Sequence, residues 1–204
     1  MKINQENIKI LDLVNEYVNN DEEGVVGYGG KLNIRPKYQR EFVYGDKERN
    51  LVIDTVLKGF PLSVFYWAVN DKEDYEIIDG QQRTISICEY VEGNFSIKHP
   101  ASDMDSYFHT LQDDEQKKIL DYEISVYFCE GNPSEKLAWF EVINIAGKVL
   151  TEQELRNAVY SGPWISDARK FFSKTDCYAK NVAGDYLSGN AIRQEYLETI
   201  IKWI

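Results

Sequence analysis

Histidine and cysteine are scarce in this sequence, which argues against several kinds of active site. The two histidines, His99 and His109, lack metal-ligand spacing, and the three cysteines, Cys88, Cys129 and Cys177, are widely separated. An odd number of cysteines in apolar surroundings favours reduced core thiols over disulfides or a zinc site. The sequence also has no Gly-x-Ser-x-Gly elbow and no Walker loop ending in Gly-Lys-Ser/Thr. A zinc enzyme, an α/β-hydrolase and a P-loop nucleotidase are therefore disfavoured.

Long apolar runs and an excess of basic charge are missing as well. No stretch approaches the roughly 20 apolar residues that cross a bilayer. Residues 1–6 also lack the basic start and apolar stretch of a signal peptide. We therefore expect a cytoplasmic protein with no membrane partner. The net charge of −11 repels a phosphate backbone, so we expect any contact with DNA to be indirect.

The remaining composition is that of a folded chain. Hydrophobic residues make up 43% of 204 residues, which is enough for one substantial core with a helical appendage. The last helical stretch ends in an apolar tail, Ile200 to Ile204, without a stop signal. We therefore expect the chain to be the first part of a longer protein.

Residue periodicity predicts a mixture of strands and helices. Runs of β-forming residues predict strands over 31–35, 64–69, 75–78 and 122–128, of which the second and third form a hairpin. Apolar residues at helical spacing predict helices over 8–18, 46–58, 81–92, 164–172 and 192–203. Two further helices are predicted to begin at Asn132 and, through a capping box with Glu154, at Thr151. The stretch 94–115 is mixed and polar, and its role is not evident from the pattern.

The residues best suited to chemistry lie where the strand 75–78 turns into a helix. Free backbone N–H groups and the positive end of the dipole make a helix N-terminus a binding site for anions. Gly80 permits close approach, Gln81 and Gln82 supply amide donors, and Arg83 can hold phosphate oxygens bidentately. Asp79 fits either an N-cap or a residue that holds Mg²⁺ or a water. The five together predict an anion-binding corner.

A structural role is the alternative for each member of this corner. Asp79 would then only cap the helix, and Arg83 would be solvated or paired with an acidic residue. An exposed Arg contributes little to folding, so we expect Arg83→Ala to abolish phosphate binding with little loss of stability if the functional reading holds.

Further polar clusters are candidates for the same pocket. Tyr38-Gln39-Arg40 follows Pro36 just past the first predicted strand, and a second Arg suits a polyphosphate. A salt bridge is the structural alternative for Arg40. Asn144 and Arg156-Asn157 lie on otherwise apolar elements, where satisfying backbone groups is the favoured interpretation over lining a pocket.

An ordered series of these motifs resembles a known family. The series runs Ile34-x-Pro36-x-Tyr38-Gln39-Arg40, Gly59-x-Pro61-Leu62 and Ile77-Ile78-Asp79-Gly80-Gln81-Gln82-Arg83. It continues through Phe140-x-x-Ile143-Asn144-x-x-Gly147-x-x-Leu150-x-x-x-Glu154-Leu155-Arg156-Asn157-Ala158, and loosely to the helix with Arg193. This pattern resembles the N-terminal domain of GmrSD-type type IV restriction endonucleases.

The resemblance implies an α+β fold with a ParB/sulfiredoxin-like small sheet and helices. It implies a nucleotide-binding core over residues 1–130 and a helical extension over 131–204. It also implies that Asp79 to Arg83 form a motif that binds and hydrolyses a nucleoside triphosphate. We expect Asp79, Gln82 and Arg83 to be catalytic, Asp79 to be the candidate Mg²⁺ ligand, and Tyr38, Gln39 and Arg40 to add to the nucleotide site.

The resemblance further implies a bacterial system that restricts foreign DNA or phage, with this domain as its regulatory or motor part. In such systems a separate HNH-type nuclease domain or subunit cuts the DNA. Two isolated histidines cannot supply an HNH centre, so we expect no nuclease activity from this chain alone. Residues 79–83 contain no cysteine, which disfavours sulfinic acid reduction, and the acidic charge disfavours a DNA-partitioning role.

Two other functions are compatible with the same residues. A non-catalytic module would bind a nucleotide or another anion at the corner and report it to a partner. A scaffold would have no ligand there at all. Turnover separates the enzyme from the sensor, and failure to bind any nucleotide favours the scaffold.

Overall fold

A computed structural model describes residues 1–20, 24–36, 44–70, 74–145, 163–174, 177–189 and 195–202 of the chain. It confirms the α+β class. The strands are β1 (Lys2–Lys9), β2 (Val18–Asn20), β3 (Gly24–Gly27), β4 (Leu32–Asn33), β5 (Phe65–Val69), β6 (Tyr75–Asp79), β7 (Ile97–Lys98), β8 (Asp105–Ser106) and β9 (Glu123–Glu130). The α-helices are α1 (Ile10–Val14), α2 (Asp46–Leu57), α3 (Gln81–Val91), α4 (Asp113–Leu120), α5 (Pro133–Ile145), α6 (Pro163–Phe172), α7 (Tyr178–Ala183) and α8 (Glu195–Ile201).

The contacts within the chain group it into two compact units. The first contains Met1–Arg35 and Tyr44–Lys136, and the second contains Pro36–Val43 and Leu137–Ile204. In the second unit α6 packs against α7 and α8, and Cys177, Ala179 and Tyr196 form a small buried cluster. The domain assignment with a boundary at residue 130 stays a prediction.

The first unit is organised around one mixed sheet. Among the described residues it has seven strands in the order β1-β9-β5-β6-β4-β3-β2. The β9–β5 and β6–β4 pairs are parallel, and the other pairs are antiparallel. The predicted hairpin of β5 and β6 is confirmed, with a register irregularity between Tyr66 and Trp67 that brings Tyr66 opposite Asp79. β5 and β6 are therefore central strands, and each is paired on both sides.

One face of this sheet carries the aromatic core. Trp67 is fully buried, and its ring contacts Tyr28, Tyr75 and Phe128 at centroid distances of 5.3, 5.9 and 5.4 Å. The helix α2 follows the predicted i,i+4 pattern, because its apolar side chains are the buried ones. Those residues are Val52, Ile53, Val56 and Leu57. Burial of aromatic and β-branched side chains thus holds the sheet that positions the corner.

The start of the chain is the main correction to the sequence analysis. The helix predicted over 8–18 is only the short α1, and Lys2–Lys9 form β1 instead. Every residue of β1 pairs with β9, so Ile8 and Lys9, at the start of the predicted helix, satisfy their backbone in the sheet instead. Glu16 has φ of 54°, and this left-handed residue follows the end of α1.

The stretch 94–115 contains the small antiparallel pair β7–β8, a short 3-10 helix (Phe108–Thr110) and the start of α4. Phe95, Ile97 and Leu111 from this stretch are buried. Within the described ranges, none of the helices combines the length and apolar character that a bilayer crossing requires.

Candidate functional site: the corner between β6 and α3

Gly80 forms the turn between β6 and α3. Its φ of +102° lies in the left-handed region, and it is the residue that precedes the first turn of α3. A Cβ at this position would overlap the ring of Phe65 on β5. The positive φ of the turn and the close approach of the Phe65 ring therefore both require glycine at position 80.

Asp79 is the last residue of β6 and not the N-cap of α3. The N-cap is Gly80, and no side chain makes a capping hydrogen bond there. The Asp79 Oδ2 atom instead pairs with Arg83 Nη2 at 2.9 Å, one turn into the helix. The predicted capping role is wrong because the strand extends one residue further than its apolar run.

Arg83 is held by the protein on several sides. Besides Asp79, its guanidinium donates to the carbonyl of Ser63 and, at 3.1 Å, to the carbonyl of Val64. Its Cζ atom lies 4.4 Å from the centroid of the Phe65 ring, within the range of a cation–π contact. Only 13% of the side chain is exposed, so the premise of an exposed Arg83 was wrong. Its removal should destabilise the fold.

Gln81 and Gln82 are both buried, at 5% and 6% exposure. The Oε1 atom of Gln82 accepts a hydrogen bond from the backbone N–H of Tyr44 at 3.2 Å. Gln82 therefore connects α3 to the backbone of Tyr44 through a hydrogen bond. The backbone carbonyl of Gln82 accepts a hydrogen bond from Ser86 at 2.8 Å, within the same helix.

Several predicted site residues lie outside the described part of the chain. These are Tyr38, Gln39, Arg40, Arg156, Asn157 and Arg193, as well as the side chain of Asn144. The structure therefore describes Asp79, Gly80, Gln81, Gln82 and Arg83 at one corner, and the functional roles of these and of the other residues stay predictions.

The structure adds residues that the sequence did not reveal. Phe65, with the carbonyls of Ser63 and Val64, forms the surface against which Arg83 packs. Tyr66 lies opposite Asp79 in the sheet, and burial, Tyr127 and the charge of Asp79 raise the pKa of its phenol. No local signal identifies these residues, because they lie 13 to 20 positions before Asp79 and Arg83 in the chain and meet them through sheet pairing and packing.

The cysteines and His99 are buried or hydrogen-bonded within the protein. Cys88, Cys129 and Cys177 are free and buried, as predicted, and burial raises the pKa of the Cys88 thiol. His99 lies 2.9 Å from Glu115 and accepts the backbone N–H of Ala101. Among the described residues, no group of three or more His, Cys, Asp or Glu side chains is placed to hold a metal ion. Within the described ranges, Asp79 is therefore not part of a cluster of three or more such ligands.

Comparison with known proteins identifies the family of the chain. No curated protein and no solved structure matches it. Residues 12–161, more than half of the chain, match the family described as the N-terminal domain of the GmrSD restriction endonuclease. This range contains the corner and the predicted cluster Tyr38-Gln39-Arg40. The chain therefore belongs to the family of GmrSD restriction endonuclease N-terminal domains.

Proposed function

We propose that the chain is the regulatory domain of a restriction or defence system and binds a nucleoside triphosphate at the corner between β6 and α3. The observation that carries this proposal is the geometry around Gly80. A left-handed glycine turns the chain so that α3 starts beside a carboxylate, and the first-turn N–H groups of such a helix suit phosphate oxygens. Family membership supports the restriction or defence context.

The contacts of Arg83 refine its part in this function. A guanidinium has five N–H donors, and the described contacts engage its two terminal nitrogens through Ser63, Val64 and Asp79. Arg83 would therefore act first as a positioning residue for Asp79 and for the start of β5. Arg83 is paired with Asp79, but its positive charge still contributes to the electrostatic potential at the start of α3.

Asp79 supplies the chemistry proposed for hydrolysis. Its side chain is 37% exposed, and one oxygen pairs with Arg83, which leaves the carboxylate able to contact a cation with the other oxygen. Mg²⁺ in nucleotide sites takes one or two carboxylates and completes its shell with phosphates and water, so a single aspartate fits such a role. Bound there, Mg²⁺ would neutralise phosphate charge.

A non-catalytic sensor of nucleotides is the second candidate. Two observations favour it: Asp79 is paired with Arg83, and no group of three or more metal-binding side chains occurs in the described ranges. The same corner would then bind a nucleotide and report it to a nuclease partner without turnover.

Calorimetric binding of ATP, GTP, CTP and UTP, with and without Mg²⁺, tests the proposal together with an assay of phosphate release. We expect saturable binding that Arg83→Ala weakens at least tenfold. The matched control is Arg49→Ala, because Arg49 also stacks on a phenylalanine and pairs with an aspartate, but on α2. Wild-type protein that binds none of the four nucleotides would contradict the proposal and favour a scaffold.

Asp79→Asn separates hydrolysis from binding. Asparagine preserves an oxygen for Arg83 but removes the negative charge that Mg²⁺ requires. We expect phosphate release to fall at least tenfold while Mg²⁺-free nucleotide binding persists. Asp74→Asn is the matched control, because Asp74 is an exposed aspartate just before β6. Binding without phosphate release in the wild-type protein would instead support the sensor.

A further inference from the structure

The segment between α2 and β5 leads directly to the partners of Arg83. It contains the motif Gly59-x-Pro61-Leu62. Gly59 has a φ of +69°, and the backbone N–H of Phe60 donates to the carbonyl of Thr55 on α2 at 3.0 Å. A left-handed glycine followed by a hydrogen bond back to the last turn is a common end of an α-helix. The motif therefore turns the chain out of α2 at a fixed point.

The hydroxyl of Tyr122 holds this segment just after the turn. Tyr122 lies between α4 and β9, and its hydroxyl donates to the carbonyl of Phe60 at 2.8 Å. The same oxygen accepts the backbone N–H of Leu62 at 2.9 Å. A tyrosine hydroxyl both donates and accepts, so one side chain binds the backbone on each side of Pro61. Tyr122 is itself fixed, because its backbone carbonyl accepts the N–H of Ile10 at 2.9 Å.

The next two residues of the segment bind Arg83. The carbonyls of Ser63 and Val64 accept hydrogen bonds from the guanidinium, the second at 3.1 Å. Arg83 in turn pairs with Asp79 at 2.9 Å. Ser63 and Val64 come before the first paired residue of β5, so the positions of their carbonyls depend on what holds the segment that leads to them. A continuous series of contacts therefore joins the hydroxyl of Tyr122 to the carboxylate at the corner.

Resting on the function proposed above, we infer that Tyr122 is a positioning residue for Arg83, and through Arg83 for the nucleoside triphosphate at the corner. Its hydroxyl fixes the backbone of residues 60–62, and the two carbonyls that follow fix the direction of the guanidinium. A group that is already held in place loses less freedom when a ligand binds, so looser support of Arg83 weakens binding. Tyr122 acts through Arg83 and not on the ligand itself.

The first test is the affinity of Tyr122→Phe for ATP, GTP, CTP and UTP, measured by calorimetry. Phenylalanine removes the hydroxyl and retains the ring. We expect the dissociation constant of the tightest nucleotide to rise about 3- to 10-fold, the effect of one lost hydrogen bond, with unchanged binding stoichiometry. A merely structural role would lower the stoichiometry, because part of the protein would be unfolded, and would leave the dissociation constant unchanged.

Tyr90→Phe is the matched control. Tyr90 lies on α3, about two turns beyond Arg83, and its hydroxyl donates to the carbonyl of Ser106 at 3.3 Å. This variant should bind nucleotides as the wild type does. An unchanged dissociation constant in Tyr122→Phe, or an equal rise in Tyr90→Phe, overturns the positioning role.

The second test asks whether Tyr122 acts through Arg83, and it uses no ligand. Urea denaturation is measured for wild type, Tyr122→Phe, Arg83→Ala and the double variant. We expect the two substitutions to be coupled by a factor of at least about three in the unfolding equilibrium constant, since the second removes the contact that the first supports. Independent effects of the two substitutions overturn the inference.

If Tyr122→Phe does not fold, amide hydrogen exchange of the wild-type protein replaces both tests. The Leu62 amide is bound to Tyr122 and exchanges when the segment opens locally. A saturating nucleotide should slow this exchange at least about threefold, because nucleotide binding and order in the segment are coupled through Arg83. The Asp103 amide, bound to the carbonyl of His99 at 2.9 Å, should be unaffected. An unchanged rate at Leu62 overturns the inference.

The outcomes also separate this inference from the function on which it rests. Wild-type protein that binds none of the four nucleotides overturns both. Wild-type binding that Arg83→Ala weakens and Tyr122→Phe leaves unchanged overturns the positioning role alone and keeps the nucleotide site.

Discussion

Two arginines of the first unit have similar ring and aspartate contacts, and they differ in their other hydrogen bonds. Arg49 lies 4.5 Å over the ring of Phe95 and pairs with Asp46, while Arg83 lies 4.4 Å over the ring of Phe65 and pairs with Asp79. Arg83 also binds the carbonyls of Ser63 and Val64, whereas the Nε atom of Arg49 is buried without an acceptor among the described residues.

The difference shows what turns a common local contact into part of a site. The Arg49–Asp46 ion pair lies within the first turn of one helix, and the ring of Phe95 is the contact that Arg49 makes with another segment among the described contacts. Arg83 connects α3 to the start of β5 and to the end of β6, so one side chain holds three segments together. Such a residue positions a corner with a precision that an exposed ion pair does not supply.

The largest effect is expected from Gly80→Ala, which breaks the corner at its turn. The left-handed φ and the overlap with the Phe65 ring should together lower the free energy of unfolding by about 2–5 kcal/mol. Urea denaturation measures this loss. Gly59→Ala is the control, because Gly59 also has positive φ but open space for a Cβ, and it should cost about 1 kcal/mol. Equal costs at the two positions would mean that the ring contact is unimportant.

A smaller loss of stability is expected when either arginine is replaced by alanine. The difference between the two losses tests the comparison of Arg83 with Arg49. Arg83→Ala leaves two carbonyls and a carboxylate without their donor, so it should lower the free energy of unfolding by about 2–3 kcal/mol. Arg49→Ala should cost roughly 1 kcal/mol or less, since its pair is local and exposed at Asp46. Chemical denaturation of both variants measures the two losses of unfolding free energy. Comparable losses would contradict the distinction between them.

The smallest effect is expected from the aspartates. Asp79→Asn preserves an acceptor for Arg83, so it should lower the free energy of unfolding by about 1 kcal/mol. Asp46 is 87% exposed, and Asp46→Asn should change stability by less than about 0.5 kcal/mol. Thermal melts at low and high salt measure both, and salt should reduce the Asp46 effect first. A larger loss for Asp46→Asn would show that exposure does not rank these pairs.

Much of the fold was predictable because local patterns and tertiary packing agree there. The helix from Asp46, the β5–β6 hairpin, the helix after Gly80 and the strand β9 all match their predicted positions closely. In α2 the buried side chains are those that the periodicity marked, and in α3 Ile85, Ile87 and Cys88 are buried as their spacing predicted. The start of the chain was not predictable, because β1 is stabilised by pairing with β9, more than a hundred residues away.

In the candidate site, the sequence predicted the positions of the residues but not their contacts. The positions of Asp79 to Arg83 follow from the sequence, since a β-forming run, a glycine and a helical period mark a strand-to-helix corner. The contacts that these residues make do not follow from the sequence. Phe65, Ser63, Val64 and Tyr66 reach the corner only through sheet pairing and packing.

The sequence by itself determined the α+β class, the location of the corner and the family to which the chain belongs, because these depend on local periodicity and on motifs in a set order. Only the tertiary structure decided that Arg83 is half-buried and bound to Asp79, Ser63 and Val64, and that Tyr66 stacks on Tyr127. These contacts join segments that are distant in the chain, and pairing between strands, which no local pattern encodes, brings them together.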